Sequence, residues 1–289
     1  MTTPDDFNQT ATSGTATPGP AASGSAASGS VAGGTARRSE ASFEELLAEG
    51  DAVPTEGWDF SWFAGRATEQ RPSWGYARLL GERMAKASAA LDLQTGGGEV
   101  LASIPAAPAR LVATESWPPN LSVARRNLAP LGGTVVEVAD HDELPFEAES
   151  FDLVVSRHPT VVIWPEIARV LRPGGTYLSQ QVGAGTVREL TDFMMGPQPV
   201  SQNRAHDRAV ADAEAVGLSV AELRAESLPM EFFDIAAVVH FLRKVIWIVP
   251  GFTVEQYRDR LAELDRLIRA EGSFAATSER FLIEAQKPA

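Results

Sequence analysis

The sequence contains no cysteine, which excludes disulfides, thiolate nucleophiles and cysteine-based metal sites. Histidine is nearly as scarce. The four histidines, His141, His158, His206 and His240, are scattered, and none has the i,i+4 spacing of a helical zinc pair, so no metal site is expected. No apolar run reaches the roughly 18 residues that a spanning helix needs, so no membrane crossing is expected. Nor is there a dense run of lysine and arginine. The formal net charge is −13, and a negative global field repels phosphate backbones, which argues against nucleic acid as a partner. What is present suits a globular protein. With 44% hydrophobic and 22% charged residues, the 289-residue chain can hold one sizeable domain or two small ones.

From Thr10 to Ala36 every residue except Val31 is Gly, Ala, Ser, Thr or Pro. Such a stretch has almost nothing to bury, and residues 1–41 are expected to form a disordered tail. Asp5 and Asp6, with no apolar core after them, do not read as a signal peptide, and Arg37-Arg38 is not followed by the apolar segment of a twin-arginine signal. A cytoplasmic location is the expectation. Order should begin at Ser42-Phe-Glu-Glu45, a capping box opening a short helix that Gly50 ends. Residues 42–88 are expected to form an N-terminal helical and aromatic cap. Trp58, Trp62 and Trp74 fall within it. They could clasp the N-terminal segment to the domain, or cover a bound ligand as a lid.

Beyond the helix expected over Gly75–Lys86, the pattern becomes strand and helix in alternation. Strands are expected at Ala89–Leu93, Arg110–Thr114, Val135–Val138, Phe151–Val155 and Thr176–Gln181. Such alternation implies β-α-β units and a largely parallel sheet. Ligands in such sheets bind beyond the C-terminal strand ends. Asp92, Glu115, Asp140 and Ser156–His158 all fall at those ends. The first strand runs into Gln94-Thr-Gly-Gly-Gly98. That turn is either a binding loop or only a tight turn, since consecutive glycines fit neither the dinucleotide G-x-G-x-x-G pattern nor a P-loop. Further strands are expected at Leu218–Glu226 and Glu279–Ala285, with an apolar insert over 228–252 between them. A second capping box, Thr253-Val-Glu-Gln256, should open an amphipathic helix.

Several of these stretches resemble the class I S-adenosylmethionine-dependent methyltransferases, of the type called methyltransferase domain 11. Leu91-Asp-Leu-Gln-Thr-Gly-Gly-Gly98 is similar to that family's first motif. Ala139-Asp-His-Asp-Glu-Leu-Pro-Phe146 resembles its adenine loop, Phe151–His158 its fourth strand and exit, and Glu166–Gly175 its turn into strand five. The resemblance implies a Rossmann-like seven-stranded mostly parallel α/β sheet flanked by helices, occupying residues 89–289. It implies S-adenosylmethionine as cofactor, held by Asp92, Gln94, Thr95, Gly96, Gly97, Gly98, Glu115, Ser116, Asp140, His141, Ser156 and Arg157. Gln94 departs from the family, which usually has glycine there, so its side chain must turn away from the cofactor or touch it.

The chemistry implied is methyl transfer to a small-molecule acceptor. His158, leaving a strand end, is the expected general base if one is needed, because imidazole titrates near neutral pH. Trp58, Trp62, Trp74, His158, Phe232 and Phe233 are the expected acceptor contacts, with the 228–252 insert as cover. Glu231 and Asp234 could bind a polar acceptor, or simply be solvated. An RNA or protein methyltransferase, a non-catalytic cofactor-binding module and a nicotinamide oxidoreductase remain as alternatives. A basic groove beside Ser156–His158 would favour RNA. The assembly expected is a monomer or homodimer.

Overall fold

A computed structural model of the chain describes residues 41–55 and 60–289. The expected tail, apart from Ala41, and Trp58 lie outside the described residues. The sheet is built around β2 (Ala89–Leu93), buried at every position. An apolar strand of this kind suits the middle of a parallel sheet, where both faces are covered. β2 pairs in parallel with β3 (Arg110–Glu115) and β5 (Phe151–Arg157). β4 (Thr134–Glu137) extends the sheet beyond β3, and β6 (Leu171–Val182) extends it beyond β5, both in parallel. β8 (Phe274–Gln286) and β7 (Ser219–Phe232) then add antiparallel.

Among the described residues the sheet has eight strands, in the order β1-β7-β8-β6-β5-β2-β3-β4, where seven were expected. The additional strand is β1 (Ala67–Glu69), antiparallel to β7. It is three residues long, too short for period-2 alternation to register, and it falls in the segment read as aromatic cap.

Helices cover both faces. α2 (Tyr76–Met84), α3 (Glu99–Ala102) and α4 (Pro118–Leu128) pack Leu80, Met84, Leu101 and Leu128 on one side. α5 (Trp164–Val170) and α7 (His206–Ala215) pack Ile167, Val170 and Ala213 on the other. A third core lies above the sheet. β6 ends where Val182 faces Arg280, so Phe274–Glu279 of β8 and the matching end of β7 project beyond it. α1 (Phe43–Ala52), α6 (Arg188–Met195), α8 (Ile235–Lys244) and α9 (Arg258–Glu271) pack on that projection around Leu46, Phe63, Leu190, Phe232 and Leu261. Among the described residues no helix is long and apolar enough to cross a membrane.

The 228–252 insert is therefore not one unit. Its first five residues continue β7, because Leu228, Met230 and Phe232 supply the buried positions of a strand. Pro229 interrupts the alternation in sequence yet is accommodated, and its carbonyl accepts from Gln70 N at 2.9 Å. Asp234 then caps α8, accepting from Ala237 N at 2.8 Å. The Ser42 capping box forms, with the Ser42 amide donating to Glu45 at 2.8 Å. At the second expected box only the Gln256 amide reaches Thr253 Oγ1, at 3.2 Å, and the helix starts later, at Arg258.

Gly50 does not end α1, which runs on to Ala52. It is where α1 approaches α8: a Cβ there would lie 2.5 Å from the Ala236 carbonyl oxygen and 2.9 Å from its Cα. Gly50→Ala should therefore force the helices apart and destabilise the fold by about 1–3 kcal/mol. Urea denaturation measures this, and an unchanged midpoint would mean that α1 does not dock on α8.

Candidate active site

A cavity of about 420 Å³ opens at the C-terminal ends of the parallel strands. This is where crossover loops gather in open α/β sheets. Asp92 of β2, Glu115 ending β3 and Asp140 beyond β4 line one end of it, with Gln94, Thr95, Gly96, Gly97 and Ser116. Gly96 takes a left-handed φ of 63°, open to glycine without a Cβ penalty. This turns its amide onto Glu115 Oε2 at 2.7 Å. Glu115 Oε1 accepts from Ser116 N at 3.1 Å and Trp117 N at 2.9 Å. Burial raises the Glu115 pKa, against the pull of these amides.

Asp92 is buried and accepts one side-chain hydrogen bond, from Thr95 Oγ1 at 2.7 Å. No cationic side chain among the described residues pairs with it. Burial pushes its pKa up to about 7; the Thr95 hydroxyl opposes this, and the neighbouring Glu115 charge adds to it.

Gln94 joins the two halves of the strand-end surface. Its Nε2 donates to the Val161 carbonyl at 2.7 Å, and its Oε1 accepts from Thr160 N at 2.7 Å. The Thr160 hydroxyl lies 2.9 Å from Gln94 Oε1 and 2.6 Å from Asp140 Oδ2. The residue departing from the family thus ties the loop after β5 to the loop after β2. It does so at a left-handed φ of 56°, a region costly for a residue with a Cβ. Among the described residues four non-glycine residues have positive φ, and three of them, Gln94, His158 and Val187, line this cavity. Clustering of backbone strain is typical of functional sites.

At the other end the charge changes sign. Arg157, Arg204 and Arg280 line it together with His158, and among the described residues Glu69 is the one acid there. Trp74 Nε1 donates to Gln180 Oε1 at 2.7 Å. That fixes the Gln180 amide, whose Nε2 then donates to His158 Nε2 at 2.9 Å. His158 Nε2 is accordingly an acceptor, and this assignment from the network puts the proton on Nδ1. Burial and then the three arginines push the His158 pKa well below the ordinary imidazole value.

The remaining expected residues lie elsewhere. Gly98 caps α3 with its left-handed φ of 75°, His141 is exposed, and the Ser156 hydroxyl is 2.8 Å from both Tyr177 OH and Ser179 Oγ. None of the three lines the cavity. Trp62 packs edge-on to Phe63 and His240, with Arg66 over its ring at 4.4 Å. Trp74 and Phe232 are buried in the core, while Phe233 is exposed. Asp234 caps α8 and meets Arg66 at 3.3 Å, and Glu231 accepts from Ser273 Oγ at 2.8 Å. The clasp reading describes Trp62 and Trp74. Phe60 and Tyr76, from the same segment, do line the cavity, as do Phe241 and Trp247 from the insert. Sequence reasoning missed Thr160, Glu69, Arg204 and Arg280. Only Arg280 lay on an expected strand, and nothing local marked the others.

Residues 91–179 match the family model described as "Methyltransferase domain". Among curated proteins, a malonyl-[acyl-carrier protein] O-methyltransferase from Marinomonas sp. (strain MWYL1) is 26% identical over 171 residues, 55% of this chain and 63% of that protein. A demethylmenaquinone methyltransferase from Clavibacter sepedonicus is 39% identical over 107 residues, 34% of this chain and 40% of that protein. The chain thus spans less than two thirds of each. A solved structure of a candidate methyltransferase from Bacillus halodurans C-125 is similar in fold, with a TM-score of 0.53 at 20% identity, covering 74% of this chain and 99% of its own.

The Gln94 contacts predict a graded pair of variants. Gln94→Ala loses the amide bonds and keeps the unfavourable φ, so it should destabilise by about 1–3 kcal/mol. Gln94→Gly loses the same bonds but relieves the backbone, and should be more stable than the alanine variant by about 1 kcal/mol. Equal denaturation midpoints for the two would show that residue 94 does not hold a left-handed conformation.

Proposed function

We propose that this chain, which carries a class I S-adenosylmethionine-dependent methyltransferase domain, catalyses methyl transfer to a small-molecule acceptor. The observation that supports the reading most directly is the run of three carboxylates, Asp92, Glu115 and Asp140, along one wall of the cavity, within or beside strands of the matched segment. When bound, S-adenosylmethionine supplies an electrophilic methyl group on a positively charged sulfur.

The donor and acceptor chemistry of that wall fits the cofactor. Asp92, buried without a cation, suits the cationic amino-acid end, together with Thr95 and the backbone of Gly96 and Gly97. Glu115 suits the ribose hydroxyls, because its Oε2 accepts only one amide and keeps acceptor capacity. Asp140 suits the adenine amino group, steadied by Thr160. The chain's further task is to orient the acceptor and keep water out. Phe241, Val245, Trp247 and Ile248 form an apolar wall for this. His158, expected as a general base, has its Nε2 lone pair engaged by Gln180 and is held neutral by burial and three arginines. Its role in this reading is to position rather than to take a proton. The cavity's size, and the name of the demethylmenaquinone methyltransferase relative, support an acceptor of small size.

Calorimetric titration with S-adenosylhomocysteine tests the reading; no heat and no thermal shift would sink it. Asp92→Asn should weaken binding at least about tenfold, as expected for a lost charge-assisted bond. The affinity of the unsubstituted protein should rise between pH 6 and pH 8 as Asp92 ionises, and that rise should vanish in Asp92→Asn. Stability runs the other way. The Asp92 pKa is about 7 folded against an ordinary 3.8, so the ligand-free protein binds the extra proton only when folded. Its stability from this group is lost as pH rises through about 7. The Asp92→Asn melting temperature should therefore gain on the unsubstituted protein from pH 5 to pH 8.

A further inference from the structure

We propose that the arginine end of the cavity is an anion site, and that the acceptor carries a carboxylate or phosphate head on an apolar body. This rests on the reading that Asp92, Glu115 and Asp140 hold the cofactor, since that leaves the opposite end for the acceptor.

Three guanidinium groups reach this end from segments far apart in sequence. Arg157 ends β5, and Arg280 sits on β8 opposite Val182, so the two flank β6 on either side. Arg204 arrives from the connection before α7, where its carbonyl accepts from Ala184 N at 3.0 Å. All three depress the titration of His158, and Arg280 depresses that of Arg204 after burial does, so the charges act on one another. Of the five carboxylates that line the cavity among the described residues, four belong to the other end or to the α3 N-terminus. The fifth, Glu69, is engaged by Arg280 Nη2 at 2.5 Å and Ser278 Oγ at 2.5 Å. Arg204 has no carboxylate within ion-pair distance among the described residues, and lies over the Trp247 ring at 5.5 Å.

Among the described residues, Arg204 is thus a guanidinium that no carboxylate offsets, beside Arg280, inside a chain of net charge −13. Like charges gathered in a half-buried space oppose folding unless something offsets them. An oxyanion would, and guanidinium groups match carboxylate and phosphate oxygens in geometry. The site's enclosure selects among anions. All three arginines are partly buried, and the neighbouring wall of Val182, Met230, Phe241, Val245 and Ile248 is apolar. A nucleic-acid strand needs an open basic groove; this arrangement suits a small anion whose remainder is apolar.

Calorimetry with octanoate, octyl phosphate, octanol and octylamine, each with and without saturating S-adenosylhomocysteine, tests the proposal. Octanoate or octyl phosphate should bind while octanol and octylamine do not, and the tighter of the two anions identifies the head. Arg204→Gln should weaken anion binding at least about tenfold, with S-adenosylhomocysteine affinity unchanged. Because the substitution removes an uncompensated like charge, its ligand-free melting temperature should equal or exceed that of the unsubstituted protein. Octanol binding as tightly as octanoate, absence of anion binding, or undiminished anion binding in both Arg204→Gln and Arg280→Gln would overturn the proposal. If arginine-dependent anion binding occurs without S-adenosylhomocysteine binding, the cofactor reading fails and the anion site stands. Cofactor binding without anion selectivity gives the reverse.

Discussion

Parallel strands cannot be joined by hairpins, so each must leave the sheet at its C-terminal end and return through a crossover. That constraint governs this molecule. β2, β3, β4 and β5 run in parallel and deliver their exits to one edge. The chain turns outward from β2 through β3 and β4, then returns to the other side of β2 for β5. The exits therefore diverge between β2 and β5, and the cavity lies where they do. Gln94 and Thr160 bridge this divergence with hydrogen bonds of 2.7 Å and 2.9 Å, which makes the bridge part of the cavity wall.

The same geometry separates charge. Acids stand at or just beyond the ends of β2, β3 and β4, while Arg157 at the end of β5, Arg280 on β8 beside the end of β6, and Arg204 before α7 gather at the other end. A cavity with carboxylates at one end and guanidinium groups at the other favours a cationic ligand beside an anionic one. Among the described residues, each end holds a charged side chain with no partner of opposite sign. Asp92 is buried with one hydroxyl donor, and Arg204 shares its surroundings with Arg280. His158 lies among the arginines, and the Trp74–Gln180 bond fixes its acceptor nitrogen at the distance of one hydrogen bond, 2.9 Å. Trp74, deep in the core, thus contributes to the site through a side chain that never reaches the cavity.

Much of this was legible in the sequence, for physical reasons. Buried parallel strands must be apolar runs, so β2, β3 and β5 announced themselves, and polar residues at their ends stood out against that background. β1 did not, because three residues carry no period. The far end of β7 did not, because Leu228-Pro-Met-Glu-Phe reads as an apolar run until its pairing with β8 is known. The tryptophans misled for a related reason. Aromatic residues serve cores and binding walls equally well, and composition cannot tell Trp62, packed on His240, from Trp247, which faces the cavity.

By itself the sequence determined the alternating architecture, the acidic strand ends and the glycine turn between them, because these depend on local periodicity and on backbone freedom at neighbouring positions. Only the tertiary structure decided that Gln94 is a clamp, that His158 is a neutral acceptor, and that Arg157, Arg204 and Arg280 share one space. Each of those depends on which distant segments fold into contact, and a side chain's charge or hydrogen-bonding role is set by the neighbours that folding brings to it.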